Sequence, residues 1–232
     1  RLTQTPSPKI LIVYWSTEEW NALKHLWTPG PQVRQTTAFE SLRDHYFWDP
    51  TVFRILLEWV LSKKPAGIAI SWFIPKEVVE TAPPPEALIG TPFRDPIVFW
   101  SSHYGPEGKL ELPSTTLTFW NNSGFNNSFS DPDGQVRRAY RFRGSVPSLA
   151  QQLSQQSTKK PSEFLINYAS PGKHFQKCSV REILFPSLHT PCADLKGKFI
   201  LFEKEGDRSS GSPTQLSTAV DELRRAEVLA KE

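Results

Sequence analysis

Lys9–Trp15 reads KILIVYW, a nearly continuous apolar run behind Pro6 and Pro8. Its β-branched content and short length mark a strand buried on both faces, the kind that sits inside a sheet with parallel neighbours. Thr17, with Glu18 and Glu19, offers an N-cap and an acidic first turn for a helix carrying Trp20, Leu23 and Leu26. Thr28-Pro29-Gly30-Pro31 breaks regular structure. Asp49-Pro50 then restarts it as N-cap and first helical residue, with Val52, Ile55, Leu56, Trp59 and Val60 on one face and a stop at Lys63-Lys64-Pro65. Gly67–Ile74 (GIAISWFI) is a second buried strand, so the first third of the chain forms a βαβ-like unit.

The alternation continues. A short helix at Lys76–Glu80 precedes the stiff loop Pro83-Pro84-Pro85 and strands at Pro96–Ser101, Thr115–Trp120 and Val136–Arg143. Val146–Gln156 reads as a helix led by Pro147, and Ser179–Leu184 as a short helix between strands Glu163–Tyr168 and Lys198–Phe202. The tail from Thr218 spaces Val220, Leu223, Val228 and Leu229 among charges, so 219–232 is expected to be a helix that packs on the domain or leads toward a membrane segment. No dividing linker is visible. The expectation is one domain over 1–232, of α/β class, a three-layer α/β/α arrangement with a mixed, mostly parallel central sheet and helices on both faces.

A hydrophobic content of 38% with 8 Trp and 15 Phe excludes a disordered chain. The net charge of +3 comes from charges spread along the chain, so no basic stripe for nucleic acid stands out. No apolar run approaches the roughly 18 residues of a spanning helix. The sequence starts at Arg1 and contains no Met, which reads as a chain trimmed from a longer one. Cys178 and Cys192 lack the paired ligands of a zinc site, and two readings stay open: buried thiols, or a disulfide that needs an oxidising compartment.

Catalytic motifs are scarce: there is no nucleophile elbow, phosphate loop, dinucleotide fingerprint or metal-spaced His pair. Ser101-Ser102-His103 places a nucleophile type beside a base type, but neighbours on an extended chain point to opposite sides. Asp131 and Asp133 lack the later ligands of a calcium loop; Pro132 and Gly134 make the segment a turn between strands. Of Arg137 and Arg138, an inward one needs a carboxylate such as Asp131 or Asp133, or a bound anion. The loop Gly206–Pro213 follows the last strand, at the end where open α/β sheets bind ligands.

Asp131-Pro132-Asp133-Gly134-Gln135-Val136-Arg137-Arg138 resembles the Asp-x-Asp-Gly-x-x-Arg-Arg turn of the second type of CHASE domain, the cyclase/histidine-kinase-associated sensory extracellular domain. Gly124-Phe125-Asn126 before it, and Val146-Pro147-Ser148-Leu149-Ala150 after it, are similar too. So are Asn167-Tyr168, Pro171-Gly172, Phe175, Ser179 and Leu195-Lys196-Gly197-Lys198, all in the family's order. The N-terminal half matches by pattern, through Ile10–Val13, Trp48-Asp49-Pro50 and Ile68–Phe73. The chain departs from the family at two acidic positions, where Trp15-Ser16 and Ser71-Trp72 stand, and at a Gly position held by Glu203.

The resemblance implies a non-catalytic sensory domain outside the cytoplasmic membrane of a bacterial receptor, relaying ligand binding or a dimer rearrangement to a kinase or cyclase. Ser16, Asp131, Asp133, Arg137, Arg138 and Asp207 become the candidate ligand contacts. The partners it implies are a small molecule or peptide, the receptor's own membrane helices and a second copy, with no cofactor, metal or nucleic acid. The alternatives are a ligand-independent interaction module presenting some of the Trp residues, and an extracytoplasmic hydrolase using Asp131, Asp133 and His103.

Overall fold

The structure is a computed structural model that describes residues 9–27, 43–81, 92–118, 122–127, 129, 131–133, 138–154, 163–165, 176–185 and 194–204. The run quoted above forms β1 (Ile10–Trp15), and Ser16 rather than Thr17 caps α1 (Thr17–Trp27). The Ser16 Oγ accepts from Glu19 N at 3.1 Å, the Glu19 carboxylate accepts from Ser16 N at 3.3 Å, and Trp20 N bonds the Ser16 carbonyl. This is a capping box, one residue earlier than the expected cap.

Asp49 and Pro50 start α2 (Pro50–Ser62) as expected. The Asp49 Oδ1 accepts from the backbone N–H groups of Thr51 and Val52. Its buried face is Val52, Phe53, Leu56, Leu57 and Val60, so Phe53 and Leu57 take the places expected of Ile55 and Trp59. β2 is short (Gly67–Ile70), α3 spans Lys76–Thr81, and β3 (Val98–Tyr104) runs three residues beyond the expected end. Thr115–Leu117 is a turn rather than a strand.

β4 (Leu110–Glu111) and β5 (Ser123–Phe125) both pair with β3. β6 (Arg138–Tyr140) pairs antiparallel with β9 (Glu163–Leu165), and β7 (Phe142–Arg143) with β8 (Val146–Pro147), so the expected strand Val136–Arg143 is divided between two small ribbons. Pro147 therefore belongs to β8, and α4 (Leu149–Ser154) begins after Ser148, whose Oγ accepts from Gln151 N. β10 (Gln176–Ser179) leads into α5 (Val180–Leu184) through a capping box between Ser179 and Glu182. β11 (Phe199–Lys204) extends two residues past the expected end.

The main sheet has the order β10-β1-β11-β2-β3-β4, with β5 also on β3; every pairing is parallel except β3–β4. The last strand, β11, inserts between β1 and β2, the two strands of the first βαβ-like unit. Side-chain alternation gives each strand two faces. On the first face Leu11, Val13, Trp15, Ile68, Ile70, Trp100, Ile200 and Phe202 pack with residues of α1, α2, α3 and α5. On the second, Ile10, Ile12, Ala69, Phe99 and Leu201 pack with Leu149, Ala150 and Leu153 of α4. The α/β class with helices on both faces is what the chain adopts. The proline run 83–85, the loop 206–213 and the tail helix expected at 219–232 lie outside the described residues.

Candidate functional site

Because β10, β1, β11, β2, β3 and β5 run in one direction, their C-terminal ends share one edge of the sheet. On the second face the apolar layer stops there. Tyr14 and Glu203 are register partners on β1 and β11. Phe202 and Ile70 are partners that point into the first core, so the next residues, Glu203 and Ser71, turn together to the second face. Ser101 follows on β3 and donates from its Oγ to the Ser71 carbonyl at 3.0 Å. Asn126 Nδ2 donates to the same carbonyl at 2.6 Å. The result is a polar rank, Tyr14-Glu203-Ser71-Ser101, directly above the apolar layer.

Glu203 is the outlier of this rank. It is 5% exposed, yet no hydrogen bond or ion pair from a described residue reaches its carboxyl. Burial pushes its pKa up from 4.5 to about 8, and the charge of Lys177 on β10 opposes that rise. Tyr14, beside it, is 37% exposed, so the rank opens to solvent on that side.

One step further out stands His103, its ring stacked on Phe73 with centroids 5.9 Å apart. Asn127 grips the Tyr104 backbone in both directions, accepting from its N–H at 2.6 Å and donating to its carbonyl at 2.9 Å. That grip fixes the amide's orientation, so its Nδ2 donates to His103 Nδ1 at 3.1 Å. In neutral His103 the proton is thereby on Nε2.

The first face at the same edge is filled by rings. Trp15 meets Trp20, Phe47, Phe53 and Trp72 at centroid distances of 5.4, 6.2, 5.4 and 6.1 Å. Trp20 stacks on Phe47 and donates from Nε1 to Asp44, while Trp72 Nε1 donates to the Tyr46 carbonyl. Lys204 lies over the Phe47 ring at 4.7 Å and bonds the His45 carbonyl.

A family model of the CHASE2 domain matches residues 2–231, essentially the whole chain. The chain belongs to the CHASE2 domain family. No curated protein and no solved structure matches it. CHASE2 domains are a family of sensory extracellular domains.

Within this CHASE2 domain the described residues include three of the candidate contacts named from sequence, Ser16, Asp131 and Asp133. The Ser16 Oγ accepts from Glu19 N in the cap of α1. Asp131 is half-buried and Asp133 exposed, both engaged, in the turn before β6; three strands separate β1 from β5, the strand leading toward that turn. Arg138 contributes backbone to β6, and its side chain, like Arg137, Asp207 and Cys192, lies outside the described residues. Cys178 is buried on β10 and is disulfide-bonded. Among the described residues no group of three or more His, Cys, Asp or Glu could hold a metal ion.

At the two pairs where the resemblance sets family acids, Trp15-Ser16 and Ser71-Trp72, the two indoles meet edge to face on the first face. The polar rank on the second face escaped the sequence reading. In the sequence Glu203 stands just past the expected strand Lys198–Phe202, and only the insertion of β11 between β1 and β2 reveals that it is interior.

Proposed function

We propose that this CHASE2 domain is the extracytoplasmic signal-input domain of a bacterial membrane receptor, without chemistry of its own. It couples a bound signal, or a rearrangement between two copies, to the receptor's membrane helices and through them to a cytoplasmic kinase or cyclase. The observation that carries the reading is the family match over residues 2–231. The disulfide at Cys178 supports it, since such bonds persist in oxidising compartments. We further propose Cys192, the other cysteine of the chain, as its partner. Among the described residues no helix is long and apolar enough to cross a membrane.

Two observations weigh against the alternatives. A hydrolase would use His103 as a base, but its Nδ1 already accepts from Asn127 and its ring lies against Phe73. An interaction module would display Trp residues, yet of the Trp side chains described Trp15, Trp20, Trp48 and Trp100 are buried and Trp59 and Trp72 half-buried. Thermal-shift measurement of the purified domain against metabolite and peptide libraries tests the reading. A ligand that binds the folded state raises Tm by mass action. Absence of any shift across both libraries contradicts ligand sensing and favours the interaction module.

A further inference from the structure

Two other carboxylates away from full exposure among the described residues are provided for. Asp49, nearly as buried as Glu203, accepts two backbone N–H bonds and pairs with Arg43 at 3.2 Å. Glu182 accepts from Ser179 N at 2.7 Å. No such bond reaches Glu203 from a described residue, and a buried carboxyl without a partner works against folding. The hydroxyl of Ser71, which follows β2 beside Glu203, is also unspent among the described residues, because the bonds from Ser101 and Asn126 go to the Ser71 carbonyl. Two adjacent polar groups with open hydrogen-bonding capacity thus stand at the C-terminal edge of parallel strands, where open α/β sheets take their ligands.

We infer that this edge of β11 and β2 on the second face is a recognition site for a small organic cation, a primary amine or guanidine, whose N–H groups meet the Glu203 carboxylate and the Ser71 hydroxyl. The inference rests on the reading of the chain as a ligand-sensing domain. The chemistry selects the class: a lone carboxyl repels anions and supplies too few ligands for a metal ion, while a charged N–H donor satisfies it with a strong bond. Tyr14, on the solvent side of the rank, offers a ring face over which the cation enters.

Binding requires the ionised carboxyl, so a proton leaves Glu203 for solvent as the amine enters. Of the other titratable groups near it among the described residues, Lys177 on β10 and Tyr14 on β1 share its face and His103 stands further out on β3. Lys204, next in the chain, turns to the opposite face, and α4 carries no ionisable side chain. Since burial holds the Glu203 pKa near 8, apparent affinity rises as pH increases from 6 toward 8, by about tenfold per unit at the lower end.

The test is titration calorimetry and thermal shift of the whole domain with butylamine and butylguanidine at pH 6, 7 and 8, with butan-1-ol as the uncharged match. The expected result is a shift with either cation, none with the alcohol, growth with pH, loss in Glu203→Gln and weakening in Ser71→Ala. No response to either cation at pH 8, or an equal response in Glu203→Gln, overturns the site. A library ligand whose shift survives in Glu203→Gln leaves the sensory reading standing while the site falls.

Discussion

Glu203 makes the pH dependence of stability a one-residue question. Its folded-state pKa lies above its unfolded value, so between about pH 4.5 and 8 the unfolded chain has released this proton while the folded chain keeps it. The contribution to stability is therefore best below 4.5 and declines through that window, by on the order of 1 kcal/mol per pH unit, with no further loss above it. Glu203→Gln removes this slope; urea unfolding at pH 5, 6, 7 and 8 should show the variant gaining on the parent at each step. Parallel curves would mean that the carboxyl is already ionised in the fold. Gly124 is a second single-residue constraint, because an added Cβ would lie 2.6 Å from Leu149 N and Ser148 C at the start of α4. Gly124→Ala should cost about 1–3 kcal/mol in the same assay, since backbone rather than a flexible side chain has to move. The Gly124-Phe125-Asn126 match was visible in the sequence, whereas its reason, the close crossing of β5 by α4, depends on a tertiary contact that no local pattern encodes.

At the level of elements, legibility follows how much of the signal is local. The β1 run and the Asp49-Pro50 start of α2 were readable because burial on both faces and capping chemistry are written in consecutive residues. β5 and β10, Ser-Gly-Phe and Gln-Lys-Cys-Ser, were not, because neither has an apolar run and each is held by its parallel neighbour, β3 or β1. Ser16, expected from the resemblance as a ligand contact, also accepts with its Oγ from Glu19 N at the start of α1, a role that local sequence offered to Thr17. Ser16→Ala and Asp49→Ala should each lower stability by about 1–2 kcal/mol in thermal unfolding, the second more because Arg43 also loses its partner. If Ser16→Ala abolished a ligand response while leaving Tm unchanged, the capping account of that residue would be wrong.

For the molecule as a whole, the sheet organises two different edges from one strand direction. The first face closes with packed rings at Trp15, Trp20, Phe47 and Trp72, and the second keeps Tyr14, Glu203, Ser71 and Ser101. A carboxyl, Glu203, stands on β11 between β1 and β2, the strands beside which the resemblance sets the pairs Trp15-Ser16 and Ser71-Trp72. The α/β class and family membership were legible because they rest on element order and on the turn at Asp131–Arg138. The site was not, because strand order in a sheet is set by contacts between distant segments. The central claim, that this domain receives its signal outside the cytoplasm, is tested most directly by protease accessibility in cells carrying the full-length protein. Protease added to intact spheroplasts should digest the segment from Lys9 to Lys204; a segment left whole until the cells are lysed would contradict the account.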